Sequence, residues 1–123
     1  MAETVRPIVP LKSEFAGDPD MAELVEEFVA QLPLRVNDVV NAFTGRKRAD
    51  LKRIAHQLKG AGGGYGFPTI THAADKVEAR LLVAGIPDEA AIRGVESEIR
   101  SLVDLCMRAA ASGKTPPSEI PRF

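Results

Sequence analysis

Apolar residues in this chain recur at three- and four-residue spacing along most of its length, and each break in the pattern falls at glycine or proline. Met21, Leu24, Val25, Phe28 and Leu32 are followed in phase by Val36, Val39, Val40 and Phe43. Ile70, Ala73, Ala74, Val77, Leu81 and Ala84 form another stripe, and Ile92, Val95, Ile99, Leu102, Cys106 and Ala109 a further one. This is the period of an amphipathic α-helix. No segment alternates as a half-buried strand would, and there is no internal repeat, so the pattern confines the chain to an all-α fold.

Local signals place the boundaries. Asp18-Pro19-Asp20 reads as a helix start, with Asp18 as cap and Pro19 in the first helical position. Pro33 interrupts that helix, but the apolar face resumes in phase, which predicts a kink rather than a break. Gly45 ends it. A second helix is expected from about Lys47 to Tyr65, with Gly66 as its left-handed terminator. Pro68 opens a third that stops at Gly85. Pro87-Asp88 opens a fourth that ends near Gly113. Four helices joined by short turns predict an antiparallel four-helix bundle over residues 18–113. A short irregular N-terminal arm at 1–17 carries Pro7 and Pro10, with one short helical turn around Leu11 to Phe15. A flexible, proline-rich C-terminal tail follows at 114–123.

The 123 residues suit one domain, and with 45% apolar but only 5% aromatic residues its core must be mainly aliphatic. A net charge of −1 gives no field that would attract nucleic acid or an anionic membrane. The lone cysteine, Cys106, falls on an apolar stripe and reads as a core residue. Met1 to Pro7 lack the basic region and apolar run of a signal peptide. No apolar run approaches the roughly 20 residues needed to span a bilayer. A cytoplasmic protein is expected, and nothing in the pattern demands more than a monomer.

The second helix carries the chemistry. At about 100° per residue, Ile54, Leu58, Ala61 and Tyr65 share one face, with Leu51 close by. His56 falls on the opposite face, flanked by Lys52, Lys59, Gly60 and Gly63. A core histidine would share the leucine face. Each glycine in a helix costs roughly 1 kcal/mol relative to alanine, so Gly60, Gly62, Gly63 and Gly64 together need a reason. Gly60 and Gly63, at i+4 and i+7 from His56, would let another macromolecule approach the imidazole. Gly62 and Gly64 lie nearer the flanks, where small size would permit tight helix packing. Neutral imidazole is a good nucleophile near neutral pH, since it titrates at about 6.5, and its attack on phosphorus gives a phosphoimidazole. Lys59 would offset the added negative charge. Arg46, Lys47, Arg48, Lys52 and Arg53 make that end of the helix basic, suited to a phosphoryl group or an acidic partner pocket.

His56-Gln57-Leu58-Lys59-Gly60, followed by small residues and Gly66, resembles the signature of histidine-containing phosphotransfer (HPt) domains. Asp18 to Pro33 resembles the family's first long helix. Ala74-Asp75-Lys76-Val77-Glu78 is similar to its acidic Ala-x-x-Leu-Glu segment, with Val77 where leucine is usual. The likeness extends over about residues 18–111. The Gly62-Gly63-Gly64 run departs from the commoner Ser/Ala-rich version. The resemblance implies a phosphoryl carrier of two-component signalling. Such a carrier exchanges phosphate with response-regulator receiver aspartates, or accepts it from a histidine kinase. His56 is then the phosphoacceptor, normally through Nε2, Lys59 stabilises the phosphoryl charge, and Glu78 orients Nδ1. Lys52, Gly60 and Gly63 belong to partner docking. The carrier would need no cofactor of its own, with Mg²⁺ supplied by the partner receiver. At this length there is no room for an ATP-binding kinase domain, so the chain is not expected to be an enzyme.

Other readings are weaker. His72 lacks the Leu-Lys-Gly context and reads as a surface residue, and a His56–His72 metal site has no cysteine or carboxylate cluster to complete it. The glycine run satisfies neither the dinucleotide nor the P-loop spacing and follows no strand, which argues against a nucleotide-using bundle enzyme. An adaptor that binds receivers without exchanging phosphate is the main alternative, but it would not need an intact nucleophile.

Overall fold

A computed structural model describes residues 8–123. The start of the expected arm at 1–7, with Pro7, lies outside the described residues. Among those described, the protein is all-helical and without strands: α1 (Ala22–Thr44), α2 (Arg48–Gly64), α3 (Pro68–Leu81), α4 (Asp88–Gly94) and α5 (Glu96–Ala110). Helix α1 packs on α2 and α5, and α3 packs on the same two. The apolar stripes meet in one core built from Leu32, Val36 and Val39 of α1, Leu51 and Leu58 of α2, Ile70 and Val77 of α3, and Ile99 and Leu102 of α5. Cys106 lies in this core, where burial pushes its thiol up to about 12.

The helix ends depart from expectation in ways that local chemistry explains. Asp18-Pro19-Asp20 forms a turn before α1, and the helix itself begins at Ala22. The N-cap is Met21, without a side-chain bond, and Asp18 instead closes the preceding turn: its carboxylate accepts the Asp20 N–H at 2.9 Å and its carbonyl the Ala22 N–H. Helix α1 continues through Pro33 without a break. At its end Gly45 is not left-handed (φ −82°); Arg46 takes that conformation at φ 57°. The Lys47 N–H reaches back to the Ala42 carbonyl, closing the turn around Arg46. Gly45 is needed for closeness instead, since a Cβ there would lie 2.9 Å from the Asn41 carbonyl oxygen. Gly66 and Gly85 do adopt positive φ, at 86° and 84°.

Helix α3 stops at Leu81, four residues before Gly85. The largely buried Arg48 guanidinium explains the early stop. It donates to the carbonyls of Leu81 at 2.9 Å, Val83 at 2.7 Å and Ile86 at 2.6 Å, satisfying acceptors at the helix end and in the loop that follows it.

The expected fourth helix is two, α4 and α5, divided at Val95 (φ −105°, ψ 8°). Gly94 is a poor helix former, and the buried Val95 side chain anchors the residue in the core. The Val95 N–H bonds to Ile92, three residues back, and the regular ladder restarts with Ile99 bonding to Val95.

The described part of the arm, from residue 8, and the tail are both held. Leu11 N–H donates to the Arg108 carbonyl, Arg108 returns a bond to Val9, and Glu14 N–H donates to the Gly66 carbonyl. The short turn falls at Glu14 to Gly17, just beyond its expected place. The tail at 114–123, expected to be flexible, has no helix but is docked at its end. Phe123 meets Phe43 edge-on at 5.7 Å and lies under the Arg100 guanidinium at 4.5 Å.

Candidate functional site

Helix α2 buries Leu51, Ile54, Ala55, Leu58 and Gly62. His56 is thereby turned outward, and its side chain is 72% exposed. Helix α3 lies alongside and supplies the partners. Its approach depends on Gly62, where a Cβ would sit 2.8 Å from Thr71 Oγ1, 3.0 Å from the Thr71 backbone nitrogen and 3.1 Å from the Phe67 carbonyl oxygen. Thr71 Oγ1 uses this closeness to donate to the Lys59 carbonyl and to accept from the Gly63 N–H, both at 2.8 Å. One hydroxyl therefore ties the start of α3 to the turn of α2 that carries Lys59.

Farther along α3, Glu78 is buried against α2. Its Oε2 lies 2.6 Å from His56 Nδ1, and its Oε1 accepts from Lys59 Nζ at 3.2 Å. Lys59 Nζ also lies 2.9 Å from Asp75 Oδ1. The four side chains form a chain of contacts: Asp75, Lys59, Glu78, His56.

Their charges reinforce one another. Burial acts to raise the Glu78 carboxyl, but hydrogen bonds from Lys59 and His56 outweigh it, and the group is held below the usual carboxylate range. Hydrogen bonds to Asp75 and then to Glu78 hold the Lys59 ammonium above its ordinary value. An ionised carboxylate only accepts, so Nδ1 of His56 must carry the proton in this contact. In the neutral ring the lone pair is then on Nε2, which has no partner among the described residues.

The helix face beyond His56 is bare. Gly60 is exposed, and a Cβ there would meet nothing within 4 Å; one at Gly63 would meet only Thr71 Oγ1, at 3.5 Å. Lys52 is half-buried one turn before His56 and makes no ion pair among the described residues. The broader basic patch does not form as a unit, because Arg48 turns to the loop after α3 and Arg53 faces Asp50 at 3.7 Å. Nothing in the structure explains Gly64, whose Cβ would also meet open space. On the other side of α2, Arg35 of α1 donates to Gln57 at 2.8 Å beside a groove lined by Leu24, Phe28 and Tyr65.

The structure thus brings His56, Lys59 and Glu78 together and leaves His72 apart, exposed on the flank of α3 that faces α5. Among the described residues no group of three His, Cys, Asp or Glu side chains could hold a metal ion. No helix among them is long and apolar enough to cross a membrane. Sequence reasoning assigned no part to Asp75 or Thr71 and did not foresee the bonding of Arg48. The acidic segment containing Asp75 was visible, but the Thr71 and Arg48 contacts join distant elements and leave no local signature.

Comparison with curated proteins gives no match, and comparison with solved structures gives none. A family model described as Hpt domain does match, over residues 23–112, which takes in α1 to α5 almost entirely. The chain therefore belongs to the Hpt domain family, whose members are phosphocarriers of two-component signalling that interact with response-regulator receivers and histidine kinases.

Proposed function

We propose that this protein is a cytoplasmic phosphoryl carrier in a phosphorelay, with His56 as the phosphoacceptor. The observation that carries the reading is the 2.6 Å contact between His56 Nδ1 and Glu78 on an otherwise exposed imidazole. With the ring proton held at Nδ1, Nε2 presents its lone pair to an incoming receiver aspartyl phosphate. As the N–P bond forms, the P–O bond to the aspartate breaks and its electron pair leaves with the receiver carboxylate. The ring becomes a phosphoimidazolium that keeps its Nδ1 proton, and Glu78 offsets that positive charge. Donation to another receiver reverses these steps.

Lys59 is the cation placed to offset the phosphoryl oxygens. Gly60 and Gly63 leave room for the receiver, and Lys52 meets its acidic pocket. The receiver brings the Mg²⁺, and the carrier has no cofactor or turnover activity of its own. An antiparallel four-helix bundle is the arrangement we infer beneath this site. It is supported by the closed sequence of contacts α1–α2–α3–α5–α1, with α4 as a short lead into α5. We take the carrier to be a monomer.

The test is transfer from each phosphorylated receiver of the source organism. Acid-labile phosphate on the wild-type protein and none on His56→Gln is the expected result. Binding of receivers with no label on either protein would replace the carrier with a non-phosphorylated adaptor.

A further inference from the structure

In the resting protein Lys59 is already engaged before any phosphoryl group arrives. Its ammonium sits between Asp75 Oδ1 at 2.9 Å and Glu78 Oε1 at 3.2 Å, so two carboxylates already share this cation. Glu78 is buried and its other oxygen is occupied by His56. Asp75 is different. Its side chain is 53% exposed, and among the described residues its one ion-pair partner is Lys59. A phosphoryl group on Nε2 would bring close to two negative charges beside these carboxylates. Lys52, one turn back on α2, is the other lysine near His56.

We infer that Asp75 is a positioning residue that competes with the phosphoryl group for Lys59 and so limits how strongly phospho-His56 is stabilised. This rests on the carrier reading above and adds to it a residue with no role in the transfer step itself. In the resting protein Asp75 and Glu78 hold the Lys59 side chain against α3. When His56 carries phosphate, the ammonium is drawn from Asp75 toward the phosphoryl oxygens while Glu78 stays on Nδ1. The exposure of Asp75 makes the exchange feasible, because water solvates its carboxylate once the lysine leaves. Glu78 lacks that option, since its desolvated carboxylate would be left without a cation. Removing the Asp75 charge should therefore leave Lys59 more fully committed to the phosphoryl group.

The experiment uses potassium phosphoramidate to phosphorylate the full chain, and the phosphoryl resonance is followed by phosphorus NMR as pH is varied. Closer pairing with Lys59 favours the dianionic phosphoryl form and lowers its titration midpoint. For Asp75→Asn the midpoint is expected to fall by about 0.5 unit, in keeping with one solvent-screened ion pair. In a Lys59→Ala background the same substitution should shift it much less, and Asp75→Glu should restore the wild-type value. Equal midpoints in wild type and Asp75→Asn would overturn the inference while leaving the carrier reading intact. An undiminished shift in the Lys59→Ala background would also overturn it, because Asp75 would then act directly. Failure of His56 to take up phosphate, from phosphoramidate and receivers alike, would overturn both.

Discussion

His56 Nδ1 and Glu78 Oε2 lie 2.6 Å apart across the α2–α3 interface, joining an exposed imidazole to a buried carboxylate 22 positions away in sequence. The pairing fixes both the ring orientation and its tautomer, and it is the relationship on which the proposed chemistry depends.

Glu78→Gln keeps the size and an acceptor oxygen but removes the charge. A charge-assisted hydrogen bond is roughly twice as strong as a neutral one, so transfer to His56 should slow by about tenfold. Rapid-quench labelling with a phosphorylated receiver measures this, and an unchanged rate would remove Glu78 from the mechanism.

The same group gives a pH dependence of stability. Its carboxyl is depressed in the folded protein, since hydrogen bonds from Lys59 and His56 outweigh the upward push of burial. The unfolded chain therefore binds that proton more readily. The contribution is complete above the ordinary carboxylate pKa and is lost as pH falls through the depressed value. Urea melts between about pH 5 and pH 3 should show wild type losing more stability than Glu78→Gln. Parallel losses would show that the group has the same pKa folded and unfolded.

Two glycines of α2, Gly60 and Gly62, should respond oppositely to alanine. Gly60 is helical with open space around it, so Gly60→Ala should stabilise the fold by about 0.5–1 kcal/mol. At Gly62 the new Cβ would meet Thr71 and the Phe67 carbonyl, and Gly62→Ala should destabilise by about 1–3 kcal/mol. Denaturant midpoints of the two variants provide the comparison.

Gly63→Leu tests clearance over the proposed docking face. Only Thr71 Oγ1 lies near, at 3.5 Å, so circular dichroism should report nearly native helical content. Phosphotransfer should fall by at least about tenfold if a receiver must lie over this turn. A normal rate would mean that partners approach from elsewhere.

Arg48→Ala should leave the carbonyls after α3 without their donors. Charged hydrogen bonds contribute about 1.5–3 kcal/mol each when buried, but this site is partly wet, so a total loss of about 2–4 kcal/mol is expected. Thermal unfolding checks this. A change within experimental error would show that water replaces the guanidinium.

Much of this was legible in the chain itself. Helical periodicity located the elements because burying an apolar stripe requires repeats of three and four residues, whatever the partner helix. Gly66 and Gly85 were readable as turn residues because only glycine enters the left-handed region without strain. Arg46 was not, since it adopts that region under the hold of the Lys47–Ala42 bond. The division at Val95 was hidden because both halves of the last helix keep the same apolar phase. His56 stood out as exposed by phase alone, and the same pattern marked Lys59 and Gly60 beside it.

The sequence by itself determined the all-helical class and the outward placing of His56, both from local spacing and residue type, and its match to the Hpt domain model shows the family. Only the tertiary structure decided how the charges are paired: that Glu78 is buried against Nδ1, that Asp75 takes hold of Lys59, and that Arg48 leaves the basic patch to bind the carbonyls after α3. Those contacts join residues on different elements. Their distances are set by how closely α2 and α3 approach, and that approach depends on the missing side chain of Gly62 beneath Thr71.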